Sequence, residues 1–312
     1  MNKNIAIVGS INVDLTTYLD RWPQRGETIK TRETKIGTGG KGANQCCAVA
    51  KLGGAVTMIG AIGDDGFGRD CEQTLKQNGA HTAIIVKEDH STGMAFIDVG
   101  PEGDNIIRIT AGANGALNVD DIKAQANQIQ QAAVLLFQNE VAVETSVEAA
   151  RLARQTGALS IMDPAPAANP PWDKDTLNAF DIITPNGGEA GAILGRQLES
   201  LSDAALAAKD LASLCRVGSI VTMGHLGVAW YLDGIAGQMD CPKVNAIDTV
   251  AAGDCFNGAF AFAVSDGMPY AQAIHFASHA ASLSTTRRGA VGSLPTLSEV
   301  REFIAQEVDF ST

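Results

Sequence analysis

Short apolar runs recur along the chain at residues 5–8, 56–62, 134–137, 159–162, 182–184 and 219–223, each bounded by Gly, Asp or Pro. They are continuous rather than alternating, as in strands buried on both faces. Between them, apolar residues recur at helical spacing over 43–52, 68–78, 120–131, 144–155 and 203–214. Ser202 precedes the last of these and reads as its N-cap. Strands alternating with helices predict an α/β fold: a mostly parallel central sheet with helices on both faces.

Two stretches break this rhythm. Residues 14–36 hold Trp22-Pro23 and Gly26 and read as strand, turn, strand. Residues 92–110 alternate apolar and polar side chains (Met94, Phe96, Asp98) around Pro101-Glu102-Gly103-Asp104, a hairpin with its turn. Four strand pieces inserted in this way predict a small antiparallel β lid. Near the C-terminus, 255–264 and 271–285 are Ala-rich apolar segments expected to be buried helices, and 296–306 reads as an amphipathic one. With no repeat or linker, residues 1–312 are read as one domain carrying two lid inserts.

Composition narrows the class. At 45% apolar and 19% charged over 312 residues, the chain can bury a large core and is neither disordered nor a disulfide scaffold. A formal charge of −12 argues against nucleic acid or an anionic membrane as partner. No apolar stretch is long enough for a membrane helix, and the first is too short for a signal peptide. The six cysteines form no C-x-x-C pair, which fits reduced thiols and a cytoplasmic location.

Four constellations carry candidate chemistry. The run Asp248-Thr249-Val250-Ala251-Ala252-Gly253-Asp254 leads into an apolar helix. Small residues there let backbone N–H groups approach an anion, and the helix N-terminus adds positive charge. By itself, Asp254 also reads as a helix cap. A second run, Gly37-Thr38-Gly39-Gly40-Lys41-Gly42-Ala43-Asn44-Gln45, permits close backbone approach to a ligand or simply makes a tight turn. It matches G-x-G-x-x-G, with Asp64 about twenty residues on, but follows the poor buried strand 33–36. Third, Asn12 and Asp14 follow the first strand, where open α/β sheets bind ligands, and suit vicinal sugar hydroxyls. Fourth, Asn186 and Glu189 stand three apart at a strand-to-helix junction, able to hold metal-bound water or to start a helix.

Together these runs resemble the PfkB sugar-kinase family, its ribokinase branch in particular, over essentially the whole chain. The resemblance rests on GSINVDL, GGKGANQ, Asn186-x-x-Glu189, DTVAAGDCFNGA and Thr286-Arg287-Arg288-Gly289-Ala290. It implies a ribokinase-like fold and transfer of the γ-phosphate of ATP to a primary sugar hydroxyl. Asp254 would be the base, with the N–H groups of Ala251, Ala252 and Gly253 as anion hole. Asn12, Asp14, Gly40, Lys41, Asn44 and Glu140 match sugar-binding positions. Asn186, Thr222, Gly224, Gly227 and Ser278 match nucleotide positions, and Mg2+ would arrive with ATP and meet Asn186 and Glu189 through water. Asp248, Val250, Ser284, Arg287, Gly289 and Ser293 match a potassium site. A homodimer through the lid is also implied.

The chain departs from the family's pattern at Gly187-Gly188, where Glu-Thr is common, and at Cys46-Cys47 in a helix of usually small residues. It departs again at Ser278, where a histidine is common and His279 comes one residue later. Trp22 is an unusual lid aromatic that bears on substrate fit, subunit contact or only local packing. D-ribose is the favoured acceptor; 2-deoxyribose, another sugar or a nucleoside are alternatives. An NAD-dependent oxidoreductase and a non-catalytic sugar sensor are the competing classes.

Overall fold

A computed structural model describes residues 3–102 and 104–309. Gly103 of the expected turn, and residues 1, 2 and 310–312 of the expected domain, lie outside the described residues. Strand β1 (Ile5–Val8) is buried throughout. Ile5 and Ile7 join one apolar cluster while Ala6 and Val8 join another, so a helical layer covers each face.

The chain continues through β2 (Asn12–Tyr18), β3 (Glu33–Gly39), α1 (Lys41–Lys51), β4 (Val56–Gly63), α2 (Gly66–Gln77) and β5 (His81–Lys87). Then come β6 (Gly93–Val99), β7 (Asn105–Thr110), α3 (Ala113–Ala116), α4 (Val119–Ala124), α5 (Ala126–Gln130) and β8 (Val134–Gln138). Next are α6 (Val143–Arg154), β9 (Leu159–Asp163), α7 (Lys174–Leu177), β10 (Ile182–Ile183), α8 (Gly187–Leu194), α9 (Leu201–Ala212) and β11 (Gly218–Thr222). The described chain closes with β12 (Val228–Leu232), β13 (Ile235–Met239), α10 (Ala252–Ser265), α11 (Tyr270–Ser284) and α12 (Leu297–Asp309).

The larger sheet has the order β13-β12-β11-β10-β9-β8-β1-β4-β5. Pairing is parallel from β11 to β5, and β12–β13 adds an antiparallel hairpin at one edge. The chain leaves β1 for β4 on one side and later returns to β8 on the other. Strand order therefore reverses beside β1, and a crevice opens at the strands' carboxyl ends.

The small sheet has the order β3-β2-β6-β7. Each hairpin is antiparallel, and the two meet along parallel β2 and β6. It takes in Asn12 and Gly39, so Gly37 and Gly39 of the glycine run are strand residues. Alternation along β2 sends Asn12 and Asp14 to one face and Val13 and Leu15 to the other. Trp22 packs over Gly100, its indole N–H donating to Asp104 Oδ2 at 2.9 Å. Its contacts are therefore local to the lid.

Two expected elements differ. Ser202 is not a cap; α9 begins at Leu201 behind Ser200. The Ser200 hydroxyl accepts the Asp203 amide and the Asp203 carboxylate accepts the Ser200 amide. Ser202 has Ala205 at the matching position and cannot close such a box. The 120–131 segment is two short helices, because the backbone leaves the helical path at Gln125. All six cysteines are free, and Cys46 and Cys47 are core residues on α1. Among the described residues no helix is long and apolar enough to cross a membrane.

Candidate active site

Asn12 opens β2 of the small sheet, four residues past the end of β1, and is 2% exposed. Its Oδ1 accepts from Asn114 Nδ2 at 2.8 Å, and Asn114 also grips the backbone N–H and carbonyl of Ile11 at 2.9 and 3.0 Å. Asp14 lies directly over Gly39, where a Cβ would come 2.0 Å from its carboxylate. Burial, then the charges of Glu140 and Asp254, pushes the Asp14 carboxyl up to about 7.

Helix α1 starts hard against the end of β1. Gly40 takes φ 86, and a side chain at Gly42 would come 2.7 Å from the Ser10 backbone. Only a run of small residues permits this approach. It brings the Lys41 amide to Glu140 at 3.1 Å and the Gly42 amide to the Ser10 hydroxyl at 3.3 Å. Ser10 in turn donates to Glu140, just past β8. Burial works against the Lys41 ammonium, but Asp254, Asp163, Glu140 and Glu189 more than offset it and hold its pKa above the ordinary value.

Asp254 is the third residue of α10 and is buried. It caps nothing: Oδ2 accepts from Asn44 Nδ2 at 2.9 Å and Oδ1 from Gln45 Nε2 at 3.3 Å. Burial raises its pKa, and Lys41, Asn44 and Gln45 oppose the rise. Asn44 Oδ1 is buried with no hydrogen-bond partner, an acceptor that a ligand hydroxyl can satisfy. Gln45 also donates to Asp163 at the end of β9, at 3.0 Å. Asp163 is buried, and burial lifts its carboxyl well above the ordinary range.

A separate cleft of about 580 Å³ is bordered by Ala252, Gly253 and Phe256 of α10, and none of the polar groups above lines it. Thr222, Gly224, Gly227, Gly253 and Ser278 line it, together with Phe256 and the segment 241–244. His279 is buried instead against Phe303, with ring centroids 5.5 Å apart, so it does not take the place of Ser278 on the wall. Gly253 is exposed at the cleft floor, Ala251 is left-handed at φ 61, and the Ala252 N–H turns to the Thr249 carbonyl at 3.2 Å.

Asn186 bridges to Thr222 and caps α8. Its Oδ1 accepts the Glu189 amide and Glu189 Oε2 accepts the Asn186 amide, both at 2.9 Å. The helix-start reading is thus real, and it leaves Glu189 Oε1 outside the capping box. A side chain at Gly187 would meet Met223 Sδ at 2.7 Å, so the departure there is matched to a neighbouring methionine.

Asp248 ties two loops together, accepting from the amides of Val250 at 3.0 Å and Gly289 at 2.9 Å. The Thr285 carbonyl receives the N–H groups of Ile247 and Asp248. Ser284 and Ser293 are buried nearby in sequence to these contacts, with hydroxyls turned to the carbonyls of Ala281 and Ala290. Arg287 pairs with Glu299 at 2.6 Å.

Sequence reading missed Ser10, Gln45, Asn114, Gln138 and Asp163. Gln138 and Asp163 end strands of the parallel sheet, so the carboxyl-end rule that selects Glu140 applies to them too. Asn114 carries no such signal.

A parallel sheet with a crevice at its switch point, a small covering sheet and a buried aspartate in the first turn of α10 define an α/β protein of the class that binds ligands at its strands' carboxyl ends. The sequence profile of the pfkB family carbohydrate kinases matches residues 2–297, and the chain belongs to that family. It is a phosphotransferase with a sugar hydroxyl as acceptor. It is 35% identical to a ribokinase of Haemophilus influenzae over 97% of this chain and 99% of that one. It is 33% identical to a deoxyribokinase of Salmonella typhi, again over 97% and 99%. A solved structure of Arabidopsis thaliana ribokinase complexed with ribose and ATP aligns with a TM-score of 0.89 at 29% identity, covering 97% of this chain and 99% of that one. The family match removes the oxidoreductase reading, and the structure gives the reason. Gly37 and Gly39 lie in an exposed strand of the small sheet rather than after a buried parallel strand.

Proposed function

We propose that this chain transfers the γ-phosphate of ATP to the primary hydroxyl of D-ribose, giving ribose 5-phosphate and ADP. The observation that carries the reading is the place of Asp254. It is buried, bonded to Asn44 of the polar pocket, and directly follows Ala252 and Gly253, which line the cleft. Asp254 takes the proton of the attacking hydroxyl as the new O–P bond forms and the bond to ADP breaks. The N–H groups of Ala251 and Gly253, joined by that of Ala252 when it leaves the Thr249 carbonyl, receive the charge that develops, the main work of a phosphoryl-transfer site.

Asn12, Asp14, Gly40, Lys41, Asn44 and Glu140 hold the sugar. Asn186, Thr222, Gly224, Gly227 and Ser278 hold the nucleotide. Mg2+ comes with the phosphates, neutralises their charge and meets Asn186 and Glu189 through water, as a hard cation that keeps part of its shell. Oxygens of Asp248, Val250, Ser284, Arg287, Gly289 and Ser293 suit K+, and sodium in its place should slow turnover. Two copies meet through the small sheets, whose far face exposes Ile36 and Phe96.

The deoxyribokinase relative favours 2-deoxyribose as the second reading. ADP release from ATP and Mg2+ in potassium buffer tests both, with D-ribose, 2-deoxyribose and no sugar. Ribose-dependent release well above the other two supports the proposal. Release with deoxyribose alone replaces it with the second reading, and release with neither overturns the pentose assignment.

A further inference from the structure

Two buried glutamines sit behind Asp254 and have no part in the chemistry just described. Gln45, on α1, has an amide nitrogen with two hydrogens and two carboxylates in reach: Asp163 Oδ2 at 3.0 Å and Asp254 Oδ1 at 3.3 Å. It is fully buried, so no water competes for these donors. Such an amide can point either end at its neighbours, and the two carboxylates, which accept, together with Gln138, which donates, select one. Gln138 Nε2 lies 2.7 Å from Gln45 Oε1, and only the oxygen end of Gln45 can accept that donor. The nitrogen end is therefore turned to the two aspartates. Gln138 Oε1 lies over Gly9, where any Cβ would come 1.8 Å from it, and is buried with no hydrogen-bond partner. Two layers of the fold meet here, with Gln138 and Asp163 side by side at the ends of β8 and β9 and Gln45 on α1.

We propose that Gln45 is a positioning residue for Asp254, oriented by Gln138, and that the pair forms a relay fixing the base carboxylate beside Asp163. Asn44 holds one oxygen of Asp254 from the sugar side and Gln45 holds the other from the core side. With both oxygens held, the carboxylate presents a fixed lone pair to the hydroxyl that attacks. Gln45 bonds the base and not the polar groups of the sugar pocket, so its loss acts on the chemical step rather than on sugar binding. The role as a base-positioning group rests on the kinase reading above; the relay's geometry does not.

The kinetic test uses Gln45→Met and Gln138→Met, each close in size to the native side chain, and the double variant. Q45M should lower kcat roughly 10- to 100-fold, within the range of general-base effects, and leave KM for the sugar within about threefold. Q138M should show the same split with a smaller loss of kcat. The double variant should be no slower than Q45M, because Gln138 acts only through Gln45. Unchanged kcat in Q45M, or losses that multiply in the double variant, overturns the positioning role. A second arm needs no turnover. The Gln45 side-chain NH2 signals in NMR, assigned by their loss in Q45M, should shift in both Q138M and Asp254→Asn. Signals that stay put in either variant overturn the relay whether or not the chain phosphorylates a sugar. If the unmodified chain phosphorylates no sugar, the kinase reading fails separately, and these signals still decide the relay.

Discussion

A carboxylate held at both oxygens, as Asp254 is by Asn44 and Gln45, is oriented before any substrate arrives. Burial raises its pKa, which moves a weak base toward the operating pH. Asp254→Asn keeps the shape and removes the basic lone pair. We expect kcat to fall by about 10²- to 10⁴-fold with sugar binding, read by calorimetry, changed only a few-fold. Turnover near the native rate would remove Asp254 as the base. Asp14 poses a different problem, since its carboxyl is pushed from 3.8 to about 7 by burial and by Glu140 and Asp254. The folded form resists ionising, so folding is penalised progressively above pH 3.8 and by the full amount above about 7. Asp14→Asn should therefore raise Tm more at pH 8 than at pH 5. Equal gains at the two pH values would show that Asp14 titrates normally.

At the scale of elements, the beginnings of α1 and α10 decide the site. Both helices lack a side-chain N-cap hydrogen bond and have a small residue at the cap, Gly40 and Ala251, which leaves first-turn amides facing neighbours or the cleft. The two starts differ in strain. Gly40 tolerates its positive φ, whereas Ala251 adopts φ 61 with a Cβ. That conformation costs an L-residue about 1–2 kcal/mol. Glycine relieves it but adds about 0.4–1 kcal/mol of unfolded-state entropy. Ala251→Gly should thus stabilise the protein slightly, measured as a small rise in the denaturation midpoint. A clear fall would mean that the alanine methyl makes a contact worth more than the strain. The same scale explains the errors of boundary. Ser200 outcompetes Ser202 because Asp203 completes a reciprocal pair of hydrogen bonds with it, a three-residue relation easily passed over beside a nearer serine.

Across the molecule, the small sheet both carries Asn12 and Asp14 of the proposed sugar pocket and presents an uncovered surface. Ile36 is 62% exposed and Ile106 53%, on the face opposite Asn12 and Asp14. Rows of exposed apolar side chains on an edge-bearing sheet favour pairing with a second copy. Light scattering should find a dimer, and Ile36→Glu should shift it toward monomer. A monomeric unmodified chain would overturn the lid dimer.

Much of this architecture was legible in one dimension. Period and punctuation determined the parallel sheet, since strands covered on both faces need unbroken apolar runs and crossovers need helices. Clustered glycines marked a place of close backbone approach or a tight turn, and the run before Asp254 marked a helix start without settling whether Asp254 caps it. What only the tertiary structure decided is which polar residues meet. Asn44 and Asp254 are 210 positions apart and Gln45 and Asp163 118 apart, yet each pair shares a hydrogen bond. No local pattern encodes such pairings, because they arise where α1, α10 and the ends of β8 and β9 converge. The raised pKa values of Asp14, Asp163 and Asp254 have the same origin: burial and mutual charge are properties of the packed molecule and of no segment alone.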